Sequence, residues 1–162
     1  MGLFSSKNKD GSIGTNLAFI DGLDSFAENE SIELSVYKDD NEIRVRSRSN
    51  SNKPIAHLNL DKISKIEMMS EKDIREKSKS VVGRAMAGGL LLGPLGAIIG
   101  GMSGIGNKDK SATEYYIIIN YKSSDEDKAL SFKVIGASMG WDKVFKEIKN
   151  HLISEVKTDI EL

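Results

Sequence analysis

VVGRAMAGGLLLGPLGAIIGGMSGIG, residues 81–106, interrupts an otherwise charged chain, and its only charge is Arg84. Nine of its 26 residues are glycine. Ala85, Gly89, Gly93, Ala97 and Gly101 recur every four residues, and Gly96, Gly100 and Gly104 form a second row. With Gly88 and Pro94, these are the candidate helix-packing residues. Small side chains at that spacing give a helix a flat groove, which a second helix can approach backbone to backbone.

The flanks decide what this segment can be. Before it the apolar period is two: Ile32, Leu34 and Val36 alternate with polar residues, a KDDN turn follows at 38–41, and Ile43 and Val45 alternate with Arg44, Arg46 and Arg48. After the polar run SNSNK comes a second hairpin-like pair, Ile55, Leu58 and Leu60 in one strand, Ile63, Ile66 and Met68 in the next. Beyond the segment, YYIIINY (115–121) and ALSFKV (129–134) read as strands around a charged turn. From Met139 the period turns helical, with Trp141, Val144, Phe145, Ile148, Leu152 and Val156 on one stripe and Ser138 as the expected N-cap. Six short strands and one amphipathic helix make one domain, and an α+β fold with an antiparallel sheet follows.

That requirement constrains the insert. Ala85–Gly106 holds 22 uncharged residues, about 33 Å as a straight helix, enough for one membrane span. A single crossing would place strands 115–134 across a bilayer from strands 32–68, leaving neither side a domain. The chain must return, and Gly93-Pro94 offers the break. Basic residues flank both ends: Lys77, Lys79 and Arg84 before, Lys108 and Lys110 after. Both ends would then lie on the same, cytoplasmic face of a bilayer. Each arm is about 18 Å long against a hydrocarbon core of about 30 Å, so an isolated hairpin dips in rather than crosses. The alternatives are a soluble oligomer in which the hairpins bury one another, and a hairpin folded back on its own sheet. Glycine costs roughly 1 kcal/mol against alanine within a helix, so any of these needs close packing.

Composition narrows the function classes. The 162 residues carry 23 basic and 24 acidic side chains for a net charge of −1, giving no global case for nucleic acid. Cysteine is absent, which excludes disulfides and thiolate metal sites. His57 and His151 alone do not make a metal site, and no cofactor is expected. A phosphate-loop reading fails, because Asn107 and Asp109 stand where Lys and Ser/Thr are needed. No nucleophile elbow or small-molecule substrate site is evident, so no enzyme is expected. The N-terminus has no secretory signal, although Gly2 and Ser6 fit a loose myristoylation pattern beside the plainer reading of a flexible tail. The expected location is the cytoplasm or the cytoplasmic side of the membrane.

The order of strands, insert, two more strands and closing helix resembles the bacterial pleckstrin-homology-like (PH-like) domains over about residues 31–157. The run EKSKSVVGRAMAGGLLLGPLGAIIGGMSGIGNK (76–108) is similar to a group of such proteins that a glycine-zipper segment interrupts. The resemblance implies an antiparallel PH-like β-sandwich or open barrel, capped by the C-terminal helix, with a Gly-rich helical hairpin between strands. Its divisions would be a flexible segment at 1–30, a discontinuous β domain at 31–70 and 114–158, and the insert at 71–113. The expected role is a non-enzymatic module that associates with membrane lipid and self-assembles. The alternative is a soluble homo-oligomeric interaction module.

Arg44, Arg46 and Arg48 share one face of a strand. They are candidate contacts to an anionic surface, beside the blander reading of a charged edge that discourages aggregation. Phosphoinositide binding of the eukaryotic pleckstrin type is disfavoured, because the first hairpin loop reads as the acidic Lys38–Glu42 run. The charged stretch EKDIREKSKS (71–80) reads as a helix that lifts the insert away from the sheet.

Overall fold

Strand period and helical period, laid end to end, account for most of what the chain builds. The computed structural model describes residues 8–74, 76, 113–136 and 138–158. The strands are β1 (Ile13–Asp21), β2 (Ser31–Tyr37), β3 (Glu42–Ser47), β4 (Ala56–Asn59), β5 (Ile63–Ser70), β6 (Tyr115–Ser123) and β7 (Glu126–Lys133). A C-terminal helix, α1 (Trp141–Thr158), follows. All strand pairs are antiparallel, in the order β4-β3-β2-β1-β7-β6-β5.

The expected flexible segment at 1–30 is corrected here, because residues 13–21 form the central strand. β1 pairs with β2 through Ile13–Ala18 and with β7 through Ala18–Asp21, so it belongs to both halves of the sheet. Its inward residues Leu17 and Phe19 are fully buried, and Phe19 lies edge-on to its register partner Phe132, with ring centroids 6.1 Å apart. The β domain therefore starts near residue 13, ahead of the expected boundary at 31.

The expected pairing of residues 55–60 with 63–68 is also corrected. β4 pairs with β3, and β5 pairs with β6, so two strands adjacent in sequence lie at opposite edges of the sheet. Between them Leu60–Lys62 form a single 3-10 turn, capped by the Asn59 side chain accepting from the Asp61 N–H at 2.8 Å. Leu60 is thus a buried corner residue rather than part of a strand.

One apolar core joins Leu34, Val36, Ile43 and Val45 from β2 and β3 to Ile63, Ile66, Ile117 and Ile119 from β5 and β6. For those side chains to share a core the sheet must curl round on itself, as its right-handed twist allows. Val144 and Ile148 of α1 close the open side, with Trp141, Phe145 and Leu152 packed at the margin. Each fully buried side chain of this size contributes about 1.5–3 kcal/mol.

Ser138 is not a helix cap. Its hydroxyl accepts from the Ile135 N–H and donates to the Asn16 carbonyl, while Thr15 Oγ1 donates to the Met139 carbonyl. These bonds tie the approach to α1 onto β1. The Gly-rich helical hairpin expected within 71–113 lies outside the described residues, apart from a helical turn at 71–74.

Candidate functional site

Two places bear on function: the root of the insert and the outer face of β2 and β3. The root is well defined. β5 and β6 are neighbours, and their register runs out to Ser70 opposite Tyr115. One residue beyond, the Glu71 N–H donates to the Glu114 carbonyl at 3.0 Å. The insert is therefore the loop of a β-hairpin, leaving and re-entering the domain at one point.

Local sequence explains how the chain leaves the strand there. Ser70-Glu71-Lys72-Asp73 forms a reciprocal cap: the Asp73 carboxylate accepts from the Ser70 N–H at 3.0 Å, and Ser70 Oγ accepts from the Asp73 N–H at 3.1 Å. This is the capping-box arrangement with Asp in the place of Glu. The S-x-x-D signal was present in the sequence and could have placed the helix start. On the other strand Tyr116 Oη donates to a Glu114 carboxylate oxygen at 2.9 Å.

Above the root lies a second apolar cluster, on the face of the sheet away from the core. It comprises Ile20, Met69, Ile74, Tyr116 and Ile118, with Ala129 packed against it. Ile74, the only apolar residue between 71 and 80, is fully buried in it. The expectation that 71–80 lifts the insert clear of the sheet fails at its start, where Ile74 pins the chain down.

The outer face of β2 and β3 carries Arg44 and Arg46, and Arg48, expected on the same strand, follows its end at Ser47. The strand register sets Arg46 opposite Glu33 and Arg44 opposite Ser35. Arg46 Nη2 donates to Glu33 at 2.7 Å. Arg44 donates to Glu42 at 2.5 Å and to Asp40 at 2.7 Å, and its guanidinium lies 3.8 Å from the centre of the Tyr37 ring. These pairs raise both guanidinium pKa values. Hydrogen bonds from His57 and then Arg44 hold Glu42 below its ordinary value. Burial alone would raise Glu33, but hydrogen bonds from Arg46 and Ser35 bring it down.

The stripe is thus charge-matched, and only Arg48, just past β3, makes no ion pair with a described residue. β3 is also an inner strand, covered along part of its length by the four residues of β4, and so is not the free edge of the blander reading. A groove of about 390 Å³ runs between residues 8–10 and this face. Nearby, Glu30 accepts from Lys53 at 2.6 Å, from Ser47 and from the Ala27 N–H, which together hold its pKa down to about 2.

With β1 in place, the first hairpin loop is 22–30 rather than the 38–42 run. It carries Asp24, Glu28 and Glu30 and no lysine or arginine. This loop, like the 38–42 run, has more acidic than basic side chains.

The expected packing residues Ala85, Gly88, Gly89, Gly93, Pro94, Gly96, Ala97, Gly100, Gly101 and Gly104 lie outside the described residues, as do Lys77, Lys79, Arg84, Lys108 and Lys110. Among the described residues, no helix is long and apolar enough to cross a membrane, and no group of three or more His, Asp and Glu side chains is placed to hold a metal ion. Residues 24–132, about two thirds of the chain, match the family model described as a glycine zipper containing PH domain. No curated protein matches the chain.

Proposed function

The chain belongs to the family of glycine-zipper-containing PH domains, an interaction fold for protein or lipid, and from that premise we propose that it is a non-enzymatic platform displaying a membrane-associating, self-assembling hairpin. The observation that carries this reading is the Glu71–Glu114 hydrogen bond. A segment whose two ends meet at one root suits insertion from one side of a bilayer rather than one-way threading through it. Glycines at four-residue spacing then let arms from several copies pack closely. Lys77, Lys79, Arg84, Lys108 and Lys110 would meet anionic headgroups, each worth about 1 kcal/mol near the surface. Arg44 and Arg46 are assigned no lipid contact, since carboxylates of their own domain already engage them.

Flotation of the full chain with anionic liposomes, combined with size measurement, tests this. The expected result is co-flotation with vesicles and an assembly larger than one chain. Replacing Gly89, Gly93, Gly96 and Gly100 with leucine should shrink the assembly. A chain that stays at the bottom of the gradient and assembles only in water would favour the soluble oligomer. An assembly indifferent to the leucines would sink the zipper.

A further inference from the structure

We propose that the outer face of the β1–β7–β6–β5 half of the sheet is a seat for this chain's own glycine-rich segment, residues 81–106, which packs there in the absence of lipid. In the curled sheet, β7 alternates Leu130 and Phe132 into the core with Ala129 and Ser131 outward. Ser131 is in register with Ile118 of β6, and Tyr116 with Met69 of β5. Ala18 and Ile20 of β1 adjoin them. The result is a patch with small residues (Ala18, Ala129, Ser131) set between larger apolar ones.

Three features identify the occupant. First, Ile20, Met69, Tyr116 and Ile118 are all buried although they point away from the core, and the described chain over them is the turn at 71–74. Second, Ser131 is fully buried and its Oγ has no hydrogen-bond partner among the described residues. An orphan hydroxyl of this kind is costly, and a glycine-rich backbone, with no side chains in the way, can bring a carbonyl within its reach. Third, the root sits at the edge of the patch, because Met69 and Tyr116 immediately precede Ser70 and follow Tyr115. From the Tyr116 row to the Ala129 row is four residues along a strand, about 13 Å, within the span of a 12-residue helical arm of about 18 Å.

The N-terminal residues 1–7 are one rival within the chain. They join the domain at Asn8, beside Gly14 at the opposite end of β1 from Ile20, about 20 Å away at strand rise. The seat concerns the chain without lipid, so it stands whether a bilayer or a second copy later takes the segment up.

Because the chain has no cysteine, paired substitutions test the seat cleanly. Ser131→Cys would be combined in turn with Gly89→Cys, Gly93→Cys and Gly100→Cys in the full chain, and oxidised without lipid. The expected result is a disulfide within one chain for at least one pair, with a yield unchanged within twofold over a tenfold dilution. Ala129→Cys, run through the same series, covers the case in which the thiol at 131 is out of line or the first variant fails to fold. Cross-linked dimers whose yield falls on dilution would assign the face to a second copy and overturn the proposal. So would the absence of any disulfide in both series, which would leave the face to other residues of the chain. Liposome flotation of the unmodified chain reads the membrane proposal separately, so either can fail alone.

Discussion

Gly22 faces the Ala129 carbonyl oxygen so closely that a Cβ there would lie 2.3 Å from it, and the Gly22 backbone has φ +118°. Both facts demand glycine where β1 leaves the sheet just after its register shift. Gly22→Ala should cost about 3 kcal/mol or more, combining strain with a backbone clash. Gly136→Ala, with nothing within 4 Å of the added atom, should change stability by less than about 0.5 kcal/mol. Urea unfolding of both variants makes the comparison, and equal midpoints would refute it.

The cap at the insert's root is separable from the insert. Ser70→Ala removes the acceptor for the Asp73 N–H and the donor to its carboxylate. The expected loss is about 1 kcal/mol. Amide exchange should quicken at 71–74 while the core strands keep their protection.

Glu30 gives a pH signature. Its pKa falls from the ordinary 4.5 to about 2 on folding, so its contribution is complete above about pH 4.5 and disappears as the pH drops through 2. Glu30→Gln should therefore be less stable than the parent at pH 7, with the gap narrowing on acidification. Chemical unfolding at pH 7, 4 and 2.5 reads this, and a constant gap across that range would count against it.

The arginines should behave unequally. Arg46→Gln leaves Glu33, whose side chain is 20% exposed, without its cation, and should cost roughly 0.5–1 kcal/mol. Arg48→Gln should be neutral for stability. The measurement is a pair of thermal melts at low salt, repeated at high salt, where the difference should shrink.

Strands and helix with one dry face were plainly written in the chain. Ile32, Leu34 and Val36 alternate because only one side of β2 meets the core, and α1 shows Val144 and Ile148 at helical spacing for the same reason. β1 was hidden because Leu17 to Ile20 are four consecutive buried residues, a strand dry on both faces and bracketed by glycines that read as a leader. The edge positions of β4 and β5 were hidden because a short polar connection suggests a hairpin, whereas Leu60 turns a buried corner. At the candidate site the arginine stripe was visible, but its neutralisation was not, since Glu33 reaches Arg46 only through register with a neighbouring strand. The outer apolar patch combines β1, β5, β6 and β7, residues from opposite ends of the described chain, and no local pattern encodes it.

The meeting of Glu71 and Glu114 also changes how much freedom evolution has with this chain. A loop whose ends are already held together adds closure entropy only logarithmically, about 0.6 kcal/mol for each doubling of length. Insertions or deletions between residues 77 and 112 therefore carry little entropic cost at the root, where Ser70 stays in register with Tyr115. The β domain acts as a socket whose strand pairing does not depend on the length of what it carries.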